Sequence, residues 1–174
     1  MINSVLIANR VIFFVLIFSL VPSLTSAEQK TIKINSNWFV SVTIDDFTDE
    51  KTCTVFPKQT KYSGVERILI RMSSSDEEPV AIIGSLKYIN KIGVKYRVDK
   101  SSPVQLGKEY KFPKYADVFI VYGDEYEKLI RAFKAGREVV YQFTSKNRAA
   151  NDKIYKFDLT GFTEAYKYAM KCAQ

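Results

Sequence analysis

The 174-residue chain carries a formal charge of +7, is 47% apolar and 14% aromatic, and contains no histidine. That apolar share is enough to fill a core and excludes a disordered chain. The missing histidine excludes Ser-His-Asp and Cys-His nucleophiles and imidazole-ligated metals.

From the N-terminus, Arg10 precedes an apolar run from Val11 to Val21, Pro22 breaks it, and Thr25-Ser26-Ala27 ends in a small residue before Glu28. This pattern predicts a secretory signal over residues 1–27. The run is shorter than the roughly 20 residues that span a bilayer. Residues 28–174 then form a single exported domain, in the periplasm or at the cell surface or secreted. Export permits a disulfide, and Cys53 and Cys172 allow one connectivity, two buried free thiols being the alternative.

Ile32 and Ile34 alternate with lysines and suggest a first strand. Trp38, Val40, Val42 and Ile44 alternate with Phe39, Ser41 and Thr43, the period-two pattern of a half-buried strand. The only tryptophan belongs in the core. The turn Asp45–Lys51 leads to a second strand, Thr52–Phe56, stopped by Pro57; together they read as a hairpin with Cys53 near its return. Val65–Met72 turns Ile68, Ile70 and Met72 to one side. The run Val80–Gly84 suits a strand buried on both faces, and Leu86–Asn90 extends it. Ile92, Val94, Tyr96 and Val98 alternate with Gly93, Lys95, Arg97 and Asp99. Val104–Phe112 is a weak strand broken at Gly107, and Asp117–Tyr122 is another strand.

The period then changes. Tyr126, Leu129, Ile130 and Phe133 recur at i, i+3, i+4 and i+7, a helix with one apolar face. Asp124 is its candidate N-cap and Gly136 its C′ residue. Val139–Thr144 is a strand, Ser145–Asp152 a polar turn, and Ile154–Leu159 the last strand. Thr160 caps a final helix with the face Phe162, Ala165, Tyr166 and Ala169. The expected fold is mainly β: an antiparallel β-sandwich with two short helices, Asp124–Ala135 and Thr160–Lys171, in the C-terminal third.

Trp38 opening a strand, the acidic turn at Asp45-Asp46, Cys53 beyond it and a central apolar strand form one set of landmarks. Y-R-V-D at Tyr96–Asp99, K-A-G at Lys134–Gly136 and F-D-L-T-G-F-T-E-A at Phe157–Ala165 form another. Together they resemble the invasion-associated locus B (IalB) family of secreted bacterial proteins over nearly all of residues 28–174. The L-T-G-F-T-x-A turn is the most specific part. The chain departs from the family pattern in having no cysteine between Cys53 and Cys172 and a centre rich in lysine and tyrosine. The resemblance implies a periplasmic or surface-exposed, non-enzymatic protein with no catalytic residues to transfer; the expected partner is an unknown envelope or host protein.

No phosphate-cradling glycine motif is present, and no cofactor is expected. Cys53 and Cys172 lack the C-x-x-C spacing of a redox pair. Asp45, Asp46, Asp49 and Glu50 offer oxygen ligands for a cation but lack the spacing of an EF-hand, so a solvated turn is the favoured reading. A carboxylate-only glycosidase is the weakest reading.

Charge gives the sharpest candidate. Between Lys87 and Lys114 lie eight basic residues and two acids, nearly the whole excess of the chain. Lys95 and Arg97 share the wet face of their strand, and with Lys87, Lys91 and Lys111 they are the candidate ligand-binding residues. Tyr88, Tyr110 and Tyr115 are interleaved among them. Such a face attracts polyanions, an anionic glycan or lipopolysaccharide rather than nucleic acid. The alternative is an ordinary solvated face whose lysines guard a sheet edge.

Overall fold

The computed structural model describes residues 28–58, 66–75, 78–85, 91–111, 117–145 and 154–174. The expected signal segment, the Leu86–Asn90 extension, most of the polar turn before Ile154, and Lys87, Tyr88 and Tyr115 lie outside them.

Among the described residues, ten strands form two antiparallel sheets. The larger has the order β1 (Gln29–Lys33), β2 (Trp38–Ile44), β3 (Lys51–Pro57), β4 (Glu66–Ser73), β5 (Val80–Ser85) and β8 (Asp117–Val121). The smaller runs β10 (Ile154–Asp158), β9 (Glu138–Ser145), β6 (Lys91–Val98) and β7 (Val104–Leu106). Two helices, α1 (Gly123–Ala135) and α2 (Phe162–Cys172), occupy the C-terminal third. The expected mainly-β architecture is the observed one.

Alternation built this core. The register Val40–Val55–Ile70–Ala81–Val121 sets one residue of each of five strands on a single face of the larger sheet, and all five are buried. The sheets meet through Phe119 of β8 and Phe143 of β9, ring centroids 6.1 Å apart. Over β2 and β3 the layer is different. There α2 covers the sheet, and Phe162 meets the Trp38 ring edge-on at 5.0 Å and that of Phe133 from α1 at 5.3 Å.

Several local expectations need correction. The β5 run is not buried on both faces: Ala81 and Ile83 are buried, whereas Val80 and Ile82 are half-buried. Ile82 pairs with Leu69 and Ile120 on the outer face, so the apolar run reflects a cross-strand stripe that stays half-buried. Pro57 does not stop β3 but is its last residue, paired with Trp38. Ser41 is buried, because β1 lies beside it and the Gln29 side-chain amide donates to its hydroxyl at 2.9 Å.

Neither helix carries the expected side-chain cap. Tyr122 occupies the N-cap of α1, with Asp124 inside the first turn, where its charge still suits the helix dipole. Gly161 occupies that of α2. Gly136 ends α1 with φ −92°, outside the left-handed region; glycine is needed there for room, since a Cβ would overlap Val98 Cγ1. Gly161 is left-handed at φ 83°, and a Cβ would overlap the Asn35 side chain.

The C-terminal helix is latched at both ends. At its start, Asn35 Oδ1 accepts the amides of Asn37 and Trp38, each at 2.9 Å, while Asn35 Nδ2 donates to the Gly161 carbonyl at 3.3 Å. Trp38 Nε1 donates to the Asp158 carbonyl at 3.1 Å. The Asp158 carboxylate accepts from Thr160 N and Asn37 Nδ2, and hydrogen bonds from Thr160 hold its pKa below the ordinary carboxylate value. At its end, Cys172 is bonded to Cys53 of β3, with Cα atoms 6.2 Å apart and 119 positions between them in sequence.

Reduction, or Cys172→Ser, is expected to lower unfolding stability by about 5 kcal/mol in the chain-entropy account. Phe162→Ala should cost about 3–5 kcal/mol because Trp38 and Phe133 cannot both collapse into the space. Urea unfolding measures both, with the slope fitted for each species because reduction expands the denatured state; a shift of only tenths of a kcal/mol for either would show that α2 is not held as described.

Candidate functional site

The face expected from alternation exists in part. On β6, Val94, Tyr96 and Val98 are buried and Lys95 and Arg97 are exposed. Antiparallel register extends this outer face across the sheet: Lys95 is opposite Gln105 on β7 and Gln142 on β9, and Arg97 is opposite Val140. Gln142 in turn meets Ile154 of β10, and Val140 meets Lys156.

These side chains line a shallow groove of about 220 Å³ walled by Lys95, Arg97, Pro103, Val140, Gln142 and Ile154. Its chemistry is mixed. Val140, Pro103 and Ile154, the last 61% exposed, give an apolar bed, and two cations stand over it. Among the described residues, neither Lys95 nor Arg97 is in an ion pair. Lys156, on the same face, is 3.8 Å from Glu138. An arginine fork beside a lysine suits a carboxylate, sulfate or phosphate group, and the apolar bed suits a sugar face or an apolar side chain.

The other candidates are placed differently. Lys111 forms a single bridge with Phe119 on the edge strand of the larger sheet, so it does not share a strand neighbour with Lys95 or Arg97. The Lys91 backbone lies in β6, but its side chain, like all of Lys87, lies outside the described residues. Tyr110 is not on the outer face either. It packs its ring 5.7 Å from Tyr122 and is half-buried against the core.

The acidic turn is a hydrogen-bonded hairpin tip. Among the described residues there is no cluster of three or more acidic, cysteine or histidine side chains arranged to hold a metal.

Sequence reasoning missed most of the groove lining, Pro103, Val140, Gln142 and Ile154. Lys156 and Ile154 join the face from a strand nearly sixty positions downstream, a juxtaposition that only the β6–β9–β10 register creates. Asp99 was read only as part of a pattern. It holds a left-handed φ of 51°, and its carboxylate accepts the amides of Arg137 and Glu138, closest at 2.9 Å, clasping the end of β6 to the α1–β9 turn. An aspartate directly after an alternating strand is the signal for such a turn.

The inner residue between the two cations supplies a pH test. Burial pushes the Tyr96 phenol up to about 12, with the Glu125 charge adding to it. A raised folded pKa means the neutral phenol is favoured in the fold. Stability is therefore fully present below the unfolded value of 10.0 and is lost as pH rises from there through about 12. Tyr96→Phe should flatten that alkaline loss in a melting-temperature profile; an unchanged slope would show that Tyr96 ionises as freely folded as unfolded.

No family model and no curated protein sequence matches the chain. A solved structure does: the crystal structure of invasion associated protein B from Bartonella henselae, with a TM-score of 0.53 at 16% identity over 82% of this chain and 96% of that one. At that identity the likeness is one of fold, and this chain shares the fold of that invasion associated protein.

Proposed function

We propose that this chain is an exported, non-catalytic protein of the bacterial envelope or cell surface that works by contact with a partner, as an IalB-like protein of the invasion or virulence type. The observation that carries this reading is the fold likeness to an invasion associated protein across most of both chains. Two features support it. The Cys53–Cys172 bond suits an oxidising compartment, and residues 1–27 have the composition of a secretory leader.

The chain's own chemistry agrees. With no histidine to act as base or ligand, its most distinctive surface is a pair of exposed cations over an apolar bed. That surface favours a second reading: a binding module for an anionic glycan or for lipopolysaccharide, held through Lys95 and Arg97.

Export is tested by fractionating the native host and labelling thiols in denatured, unreduced protein. The expected result is a chain beginning at Glu28 with no free thiol; a full-length cytoplasmic chain with two labelled thiols would overturn the proposal. For the second reading, the protein should be retained on an immobilised anionic glycan at low salt and released as ionic strength rises. Lys95→Ser with Arg97→Ser should weaken that retention while changing stability by less than about 0.5 kcal/mol, as exposed substitutions do. Equal retention of wild type and double variant would remove the glycan reading and leave the contact reading standing.

A further inference from the structure

The β2–β3 hairpin ends in a tightly built turn. Asp45 Oδ1 accepts the amides of Phe47 at 2.9 Å and Thr48 at 3.0 Å, and the Asp45 carbonyl accepts that of Asp49 at 2.9 Å. Asp49 holds a left-handed φ of 57°. The Glu50 carboxylate accepts the hydroxyls of Ser73 and Ser75 at the end of the neighbouring β4. Lys51 N donates to Ser74 Oγ at 2.8 Å, and its carbonyl accepts the Ser74 amide at 2.9 Å.

This frame presents one large apolar side chain. Phe47 is 98% exposed, while no other large apolar side chain among the described residues exceeds 61%. None of the hydrogen bonds that build the turn needs a phenyl ring, since Phe47 contributes only its amide. A ring held on a pre-ordered backbone forfeits little freedom on binding, and such an anchor buries on the order of 150–250 Å².

The surroundings of the ring select its partner. Asp45, Asp46, Asp49 and Glu50, set against Lys51, give the turn a net negative charge. An acidic tip is repelled by an anionic lipid surface and fits an apolar hole with a cationic rim. The shallow groove on the outer face of β6, β9 and β10 has that chemistry. Its bed is Val140, Pro103 and Ile154, its rim carries Lys95 and Arg97, and its 220 Å³ falls below the roughly 300–1,000 Å³ of small-molecule pockets. That size suits one side chain. The almost wholly exposed Phe47 does not lie in the groove of its own molecule.

We propose that the Phe47 tip of one copy docks into the Lys95–Arg97 groove of a second copy. This inference rests on the groove being a contact surface, as read above. The two patches differ, so the contact is heterologous: each docked pair leaves a free tip and a free groove, and association grows into open chains or closes into rings. One anchor with a charged rim makes a small, transient interface, weakened by salt because screening acts within about 8 Å at physiological ionic strength.

The test is sedimentation velocity of the exported chain at rising concentration in low salt, with Phe47→Ser and the pair Lys95→Glu, Arg97→Glu. Wild type should sediment progressively faster than a monomer, and high salt should reverse this. Each variant should weaken self-association about thirtyfold or more, as loss of a hot-spot anchor does, with melting temperatures unchanged. Complementation then decides the geometry. The Phe47 variant keeps an intact groove and the charge-reversed variant an intact tip, so their mixture should form a heterodimer that grows no further. Monomeric wild type at every concentration, or a Phe47 variant that associates like wild type, overturns the proposal. Retention on an anionic glycan separates this from the groove reading: it should survive in Phe47→Ser and be lost on charge reversal, whatever the self-association shows.

Discussion

The architecture depends on how the last eleven-residue helix is held against the β2–β3 hairpin. A helix this short is marginal in water by itself, because nucleation is costly and its stability must come from packing. Here packing is backed at both ends. Cys172 is bonded to Cys53 at one end. At the other, Trp38 supports Phe162 with its ring and the Asp158 carbonyl with its indole N–H. The elements joined are separated by 119 positions for the disulfide and 120 for the indole hydrogen bond. Both latches therefore restrict nearly the whole domain, and the second sheet is assembled from the chain between them.

The outer face of the smaller sheet is set by what its inner face buries. Tyr141 stacks with Phe157 at 5.7 Å and with Tyr155 at 5.0 Å on the inner side of β9 and β10. With Val94, Tyr96 and Val98 also committed to the core, the pleat leaves Lys95 and Arg97 only the outward direction. The cations are not held by described carboxylates, and their neighbours across the strands are Gln142 and Val140. The result is positive charge over apolar surface on strands whose inner side chains fix their direction.

Much of this was legible in the sequence because period two and period 3.6 are written directly in apolar spacing. The face Tyr126, Leu129, Ile130 and Phe133 was read correctly, as was Phe162, Ala165, Tyr166 and Ala169. What spacing does not encode is which strands become neighbours. Lys156 and Ile154 join the candidate face through register alone, while Lys111, close in sequence to Lys95, bridges to the other sheet. Caps were misread for a related reason. Asp124 and Thr160 are common capping residues, yet the turns that open the two helices are set by glycines at positive φ, Gly123 at 58° and Gly161 at 83°. The candidate groove required tertiary structure, since Pro103, Val140 and Ile154 come from three separate regions of the chain.

The central claim is that this protein acts through the outer face of its four-stranded sheet. The most direct measurement is photo-crosslinking in the native host, with a photoreactive residue at Ile154 inside the groove or at exposed Glu164 on α2. The account predicts that the Ile154 probe captures a discrete product, a second copy or an envelope component, and that the Glu164 probe does not. Capture of the same product at Glu164 with none at Ile154 would contradict it.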